Sequence, residues 1–263
     1  LGVITAAVLR LRAAPKARAT ALVAVQNYPQ VLLLMQRLQA HFLGSLAAFE
    51  LMWADFLQLS LDWSGQHCPF AQLPPMAVLI EVSGQHESLL IQGLEEVLGE
   101  IWQAGGLSDV VIAQSGAQAQ ALWRLRETPP AEFQARLQAV NFDISLPLSR
   151  LGDFAERCQA ALSVRWAQHR SVRFGHVGDG NLHLTTDLRS LSGMSHEQAE
   201  HALEQLVYGL VAEAGGSISA EHGIGQLKKP YLEASRTAQE IALMRSLKQA
   251  LDPLGLMNPG RVI

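Results

Sequence analysis

Two histidines on either side of a turn-forming dipeptide could share one metal ion. Residues 174–183 read FGHVGDGNLH, and the Asp179-Gly180 dipeptide is typical of a two-residue type I′ hairpin turn, in which both central residues have positive φ. With the turn there, His176 lies opposite His183, and directly opposed residues share a sheet face with Cβ atoms about 4.5–5.5 Å apart. Two imidazoles so placed could both reach one zinc ion, at about 2.0–2.1 Å per nitrogen.

A second stretch could complete such a site. Residues 219–225 read SAEHGIG, so a Glu-His pair lies among glycines that permit close backbone approach to a ligand. Glu221 would give a set of two histidines and one carboxylate, which suits zinc, iron(II) or manganese and leaves positions for substrate or water. His222 would then be available as a base, because an imidazole titrates near neutrality. A solvated sheet face and a polar helix entry remain the simpler alternatives.

Composition excludes several classes of protein. The 263 residues include 20 Lys and Arg against 24 Asp and Glu, a net charge of -4, which is unlike a general nucleic-acid binder. A hydrophobic content of 49% predicts a packed core. Cys68 and Cys158 lack the spacing of a disulfide framework or a thiolate metal site and fit a reducing compartment. No apolar run approaches the roughly 18 residues that span a bilayer, so we expect a globular, cytoplasmic protein.

The hydrophobic patterns predict an order of strands and helices that occurs twice. Each half reads approximately β-α-β-β-α-β, which predicts an α+β fold with a duplicated ferredoxin-like antiparallel sheet and a helical C-terminal tail. Residues 195–198 fit a capping box at the start of a helix. Residues 1–10 also read as a strand, whereas 46–59 are apolar but ambiguous. Strands are predicted at 19–25, 76–82, 110–113, 139–146, 171–177, 181–187 and 217–220, and helices at 29–42, 87–103, 117–126, 148–162, 195–214, 226–232 and 237–251.

On these motifs the chain resembles the C-terminal part of the FAD-linked oxidases of the vanillyl-alcohol oxidase type. Within them it is most similar to the D-2-hydroxyacid dehydrogenase branch, which comprises D-2-hydroxyglutarate and D-lactate dehydrogenases and the glycolate oxidase flavin subunit. The matching segments are GHVGDGNLH at 175–183, EHGIG at 221–225, LWRLRE at 122–127, FDISLPLSRL at 142–151 and DPLGLMNPGRV at 252–262.

The resemblance implies a division of the chain into three parts. Residues 1–12 would be a remnant of the end of an FAD-binding domain, 13–225 a ferredoxin-like cap and substrate domain, and 226–263 a helical tail contacting the flavin domain. FAD would be held mainly by an N-terminal domain outside this chain, so we expect the chain alone to be inactive. The abrupt strand-like start suggests a chain cut inside a larger protein, although an ordinary N-terminal strand would look the same.

The resemblance also implies residue roles. The reaction would remove the hydroxyl proton of a D-2-hydroxy acid and pass hydride from its C2 carbon to FAD, giving the 2-oxo acid, with a protein or quinone as the final electron acceptor. By position, the metal ligands would be His176, His183 and Glu221, and the catalytic base would be His222. Arg126 would pair with the substrate carboxylate, and Asn258 would contact the flavin.

Three substrate-side positions depart from the family pattern. Metal-dependent relatives often have lysine where this chain has Asn141, asparagine where it has Thr185, and threonine where it has Pro130. We assign Asn141 and Thr185 to the substrate-binding set, and expect either a changed substrate or weakened activity. Recognition of a second acidic group, as in 2-hydroxyglutarate, is weaker without the lysine. The Lys228-Lys229 pair is expected on a solvated helix start.

Two other functions remain open. A non-catalytic subunit or interaction module could keep the cap fold and a structural metal, and the three altered positions favour it somewhat. A metal-dependent hydrolase could use the same two histidines and carboxylate. We expect a small 2-hydroxy acid as partner and no nucleic acid, and leave open whether two copies form a homodimer.

Overall fold

Seven strands form one antiparallel sheet in the computed structural model, which describes residues 4–11, 13–127 and 138–263. The order across the sheet is β4-β1-β3-β2-β6-β7-β5. All the pairings between neighbouring strands are antiparallel. The strands are β1 (Ala17–Val25), β2 (Leu46–Trp53), β3 (Met76–Gly84), β4 (Asp109–Ile112), β5 (Ala139–Ser145), β6 (Ser171–Gly175) and β7 (Asn181–Asp187).

The helices begin at local signals that the sequence carries. Ser195 and Thr237 form complete capping boxes with Gln198 and Glu240, so the capping box predicted at 195–198 is confirmed. Short 3₁₀ turns cover Val177–Asp179, Leu188–Ser190 and Lys229–Ala234. The α-helices are α1 (Tyr28–Phe42), α2 (Ala54–Ser64), α3 (Glu87–Gln103), α4 (Gly116–Arg126), α5 (Leu148–Arg165), α6 (His196–Glu213) and α7 (Ala238–Leu251).

The sheet contains two ferredoxin-like units, as the sequence predicts. In the first unit the strands lie in the order 4-1-3-2, and α2 is an extra helix between β2 and β3, in the stretch whose pattern was ambiguous. In the second unit β5, β7 and β6 take the places of the first, third and second strands. A single antiparallel bridge between Ser145 and Ser217 stands in the place of the fourth strand.

The two units meet where β2 pairs with β6. Leu51 lies opposite Gly175 and Met52 opposite Phe174, so the sheet is continuous across this seam. On one face α1 of the first unit touches α5 of the second, because the Tyr28 hydroxyl donates to the Leu148 carbonyl oxygen at 3.0 Å. The two units therefore share both a sheet and a helical layer.

Helices cover the two faces of the sheet unequally. On one face α1, α3, α5 and α6 pack over both units and bury the larger apolar cluster. On the other face α2 and α4 pack over β1, β2 and β3, with Leu57 and Leu125 buried against Leu22 and Leu79. On β5 and β7 of the second unit this second face carries polar side chains in two rows, Asp143 with His183 and Asn141 with Thr185. The candidate site lies there.

Four predictions about the chain need correction. Of the strand predicted at 1–10, the described residues 4–10 have no regular secondary structure and are exposed, because they pair with no strand of the sheet. The strand predicted at 217–220 is reduced to the one bridge at Ser217. The helix predicted at 226–232 is a 3₁₀ turn over Lys229–Ala234, with Pro230 near its start. Lys228, expected in solvent, is 9% exposed because its side chain reaches towards Asp143.

Among the residues that the structure describes, no helix has both the length and the apolar character needed to cross a bilayer.

Candidate active site

The loop between β6 and β7 is longer than the sequence suggests. Strand β6 ends at Gly175, and Phe174, not His176, lies opposite His183. The predicted register and the type I′ turn are therefore wrong, and Thr185 lies opposite Val172. The physical reason is that Gly180 has positive φ (71°) whereas Asp179 belongs to a 3₁₀ turn, which makes residues 176–180 a five-residue loop.

Glycines allow this loop to fold closely against its neighbours. A Cβ atom on Gly175 would lie 2.4 Å from the Asn181 carbonyl oxygen, and one on Gly180 would lie 2.5 Å from the Leu146 carbonyl oxygen. The compact loop brings the His176 ring to 5.7 Å from the His183 ring, measured between centroids. The two histidines thus come together although their strands are paired differently from the prediction.

Three of the predicted residues form a group that could hold a metal ion. One ligand atom each from His176, His183 and Glu221 lie within 4.8 Å of one another. His176 comes from the hairpin loop, His183 from β7, and Glu221 from the segment that follows the bridge at Ser217. Two imidazoles and a carboxylate suit a divalent transition metal, so the donor set fits the predicted zinc, iron(II) or manganese.

The two histidines differ in their electrostatic surroundings. Burial lowers the pKa of His183 to about 4, and that ring is therefore neutral at physiological pH, the form that binds metals. The pKa of His176 is raised, chiefly by its hydrogen bond to Glu50. Glu50 thus stabilises the protonated ring of His176 when no metal competes for it.

Glu50 is a site residue that the motifs did not reveal. It lies on β2 and is 7% exposed. One carboxylate oxygen is 2.8 Å from His176 Nδ1, and the other accepts from Arg126 Nε at 3.0 Å. Burial raises the pKa of Glu50, but the His176 hydrogen bond and the Arg126 charge outweigh it and hold the pKa below its usual value. An acidic residue within an apolar strand was the only signal in the sequence.

Arg126, predicted to pair with the substrate carboxylate, is held in place at the edge of this group. Its side chain is 13% exposed, and its guanidinium carbon lies 4.7 Å from the centroid of the Phe174 ring. Phe174 in turn lies 4.9 Å from the His183 ring. The arginine therefore lies beside the histidines with Nε bound to Glu50.

Asp143 organises the segment that carries Glu221 and His222. This fully buried carboxylate on β5 accepts the backbone N–H groups of Glu221 at 2.9 Å and His222 at 2.8 Å on one oxygen. Its other oxygen accepts from Asn181 Nδ2 at 3.0 Å. Burial raises the pKa of Asp143, but the two backbone hydrogen bonds and the charges of His222 and Lys228 lower it overall.

A second set of possible ligand atoms, from Asp143, Glu221 and His222, also lies within 4.8 Å. Asp143 is already surrounded by hydrogen-bond donors, and the Lys228 ammonium is 3.7 Å from the same oxygen that accepts the backbone N–H groups. A carboxylate so engaged positions the loop rather than binding metal. Glu221 is therefore best assigned to the group with the two hairpin histidines.

His222 combines exposure with a fixed position. Its side chain is 59% exposed, and its Nδ1 is 3.8 Å from the Asp143 carboxylate. Its ring stacks on that of His183 with centroids 5.9 Å apart and planes at 25°. An imidazole ring beside the possible metal ligands, near a carboxylate and open to solvent, can take up a proton from a bound molecule.

The next row of the sheet face carries the two altered substrate-side residues. Asn141 and Thr185 are paired across β5 and β7, one row beyond Asp143 and His183. Both side chains are uncharged, and they are hydrogen-bonded to each other, with Thr185 Oγ1 donating to Asn141 Oδ1 at 2.7 Å. Pro130, the third altered position, lies outside the described residues.

Asn258, the predicted flavin contact, lies in the C-terminal tail and is exposed. It adopts a left-handed backbone conformation with φ of 46° and borders a cavity of about 260 Å³. The tail is linked to the Glu221 loop, because the Val262 N–H donates to the Gly225 carbonyl oxygen at 2.8 Å. The other predicted site residues gather on the sheet face, and this hydrogen bond ties the tail to the loop beside them.

Comparison with known proteins identifies what this architecture resembles. The family model described as FAD linked oxidases, C-terminal domain, matches residues 14–262. A D-2-hydroxyglutarate dehydrogenase of Xanthomonas citri pv. viticola is 37% identical over 271 residues, covering 100% of this chain and 55% of that protein. The mitochondrial D-2-hydroxyglutarate dehydrogenase of Rattus norvegicus is 35% identical over 266 residues, covering 100% and 48%. The chain thus spans about half the length of the curated relatives it matches.

Solved structures share the fold at low sequence identity. p-Cresol methylhydroxylase with bound substrate has a TM-score of 0.66 at 11% identity, covering 94% of this chain and 53% of that one. A 4-ethylphenol oxidase from Gulosibacter chungangensis has a TM-score of 0.59 at 14% identity, covering 95% and 54%. The similarity of the folds confirms the predicted α+β architecture.

Proposed function

Because the chain belongs to the family of FAD-linked oxidase C-terminal domains, we propose that it is the substrate-binding and catalytic half of an FAD-dependent oxidoreductase. Its reaction would oxidise a 2-hydroxy acid, of the D-lactate, glycolate or D-2-hydroxyglutarate type, to the 2-oxo acid. The observation that carries the proposal is the grouping of His176, His183 and Glu221 beside the exposed His222 ring. The relatives named as D-2-hydroxyglutarate dehydrogenases support the same class of reaction.

Two bound groups would supply chemistry that side chains lack. A divalent metal held by His176, His183 and Glu221 would act as a Lewis acid on the substrate oxygens. FAD would supply the acceptor for the hydride from C2. His222 would take the hydroxyl proton on an imidazole nitrogen, and the Asp143 carboxylate, 3.8 Å from Nδ1, would stabilise the resulting imidazolium.

The remaining residues would bind and orient the substrate. Arg126 would pair with the substrate carboxylate, because a guanidinium carries terminal N–H donors besides the Nε that Glu50 binds. Asn141 and Thr185 would border the part of the substrate farther from the metal. Phe174 would support the Arg126 guanidinium through its ring face.

The ends of the chain would contact the flavin-binding part of the protein. In this proposal residues 1–12 are the end of that part, 13–225 form the cap, and 226–263 form the tail whose Asn258 contacts the flavin. Large apolar side chains that are exposed on the tail support its contact with the flavin-binding part: Leu243, Leu247, Leu251, Leu254 and Leu256. A cytoplasmic location, the electron acceptor and a homodimer remain predictions.

Metal content tests the central part of the proposal. We expect about one divalent ion per chain by plasma mass spectrometry and none in His183→Ala. A His201→Ala variant is the matched control, since His201 lies on α6 and binds Tyr231 and Gln205 rather than the site. Metal retained in His183→Ala, or lost equally in both variants, would contradict the site.

The redox part needs the flavin. The chain would be combined with an FAD-binding half, and each hydroxy acid added without oxygen while the visible absorbance of oxidised flavin is followed. Bleaching by one of the acids supports the proposal. Metal binding without bleaching would favour the non-catalytic subunit, and ester hydrolysis without any redox acceptor would favour the hydrolase.

A further inference from the structure

The seam between the two units places an acidic residue opposite a candidate metal ligand. Leu51 pairs with Gly175 and Met52 with Phe174, so the same antiparallel register continued by one residue puts Glu50 opposite His176. The two side chains meet there, with Glu50 Oε1 2.8 Å from His176 Nδ1. Glu50 of the first unit thus contacts His176, a candidate metal ligand of the second unit.

The direction of this hydrogen bond follows from chemistry. An ionised carboxylate can only accept, so His176 must carry its proton on Nδ1. Nε2 is then the nitrogen left for a metal. The same carboxylate accepts from Arg126 Nε at 3.0 Å, so one buried side chain orients both the imidazole and the guanidinium.

We propose that Glu50 is a positioning residue that fixes the His176 ring with Nδ1–H towards itself and Nε2 towards the metal that His183 and Glu221 would also bind. The same carboxylate holds the Arg126 guanidinium beside these ligands. The inference rests on the proposed function and extends it to a residue in the other ferredoxin-like unit. A carboxylate on the outer nitrogen of a metal-bound histidine fixes its tautomer and raises its basicity, and losing such a partner typically weakens metal binding about 10–100-fold.

The first test needs no substitution. The zinc-loaded chain, labelled with ¹⁵N-histidine, would be studied by long-range ¹H–¹⁵N correlation, which distinguishes protonated from metal-bound ring nitrogens. We expect His176 to be protonated at Nδ1 and zinc-bound at Nε2. A zinc-bound Nδ1 would overturn the proposal, because Glu50 could not then accept from that nitrogen. His176→Ala identifies the signal.

The second test compares two buried glutamates. Glu81 on β3 is a matched control: it is 6% exposed and accepts from Arg18 and Trp123 at 2.9 Å each, within the first unit. We expect Glu50→Gln to lower zinc affinity about 10–100-fold while Glu81→Gln leaves it unchanged. Equal affinities in wild type and Glu50→Gln would overturn the proposal.

Failure of this inference can be told apart from failure of the proposed function. If the wild-type chain binds neither zinc, iron(II) nor manganese, the metal site itself is wrong and both fall. If it binds zinc, His183→Ala abolishes binding and Glu50→Gln does not weaken it, only the role of Glu50 falls. If Glu50→Gln does not fold, the tautomer measured in the wild-type chain decides alone.

Discussion

Asp143 accepts the backbone N–H of His222 at 2.8 Å from a fully buried position on strand β5. A residue of the sheet thus holds the loop that carries the candidate base. The carboxylate also approaches Lys228, so the buried negative charge has a nearby positive partner. The position of His222 therefore depends on a group far from it in sequence.

Replacing Asp143 tests this dependence. Asp143→Asn should destabilise the protein by about 2–3 kcal/mol, because the amide nitrogen would face N–H donors and Lys228 would lose its partner. Urea denaturation would measure the change. Asp153→Asn, at an exposed position on α5, is the control and should change stability little. Similar losses in the two variants would contradict the role of Asp143.

The local motifs predicted which residues would be grouped at the candidate site, but not the backbone register and contacts that hold those residues in place. His176, His183 and Glu221 were identified because short motifs specify them, and the duplicated unit followed from hydrophobic patterns. The hairpin register was wrong, because a DG dipeptide does not reveal that Asp179 would enter a 3₁₀ turn. Glu50 lies 126 residues from His176 along the chain, and no local pattern predicts a contact created by the pairing of β2 with β6.

The contact between the helical layers of the two units can be tested with glycine substitutions. A Cβ atom on Gly152 of α5 would lie 2.4 Å from Tyr28 Cγ, so Gly152→Ala should destabilise the protein by about 1–3 kcal/mol through overpacking. Gly209 of α6 has no atom within 4 Å of such a Cβ. Gly209→Ala should stabilise the protein by about 0.5–1 kcal/mol through helix propensity. Thermal unfolding of both variants would decide, and effects of the same sign would contradict this packing.

Acid should loosen the tail that carries Asn258. The hydrogen bond from Lys248 lowers the pKa of Asp252, and the backbone N–H groups of Leu256 and Met257 lower it further against the opposing effect of desolvation. A pKa lowered by folding means that the stabilisation is complete above the ordinary value of 3.8 and is lost as the pH falls through the folded value. The amide NMR signals of Leu256 and Met257 should therefore titrate below pH 3.8 in the wild type.

A substitution separates this effect from general acid unfolding. Asp252→Asn should shift the same two amide signals at neutral pH and remove their titration, since the amide does not ionise. Signals of the core strand β3 should stay unchanged in both experiments. A wild-type transition at or above pH 3.8 would show that folding does not favour the ionised form of Asp252.

The neutral pair of Asn141 and Thr185 should weaken recognition of a second acidic group on the substrate. Asn141→Lys places an ammonium one row from His183, where it can contact an anion farther from the metal. A hydrogen bond to a charged group contributes about 1.5 kcal/mol or more, and about 1.4 kcal/mol is tenfold in affinity. We therefore expect Asn141→Lys to raise the affinity for 2-hydroxyglutarate relative to lactate by about tenfold.

The measurement is a titration of the cobalt-loaded chain with each acid, followed by the visible absorbance of the metal. Asn141→Met is the matched control, because methionine has nearly the length of lysine but no charge, and it should leave the preference near that of the wild type. An equal gain in both variants would assign the effect to shape. If the lysine raises affinity for both acids alike, the ammonium contacts the shared carboxylate instead, and the row formed by Asn141 and Thr185 does not determine which substrate is bound.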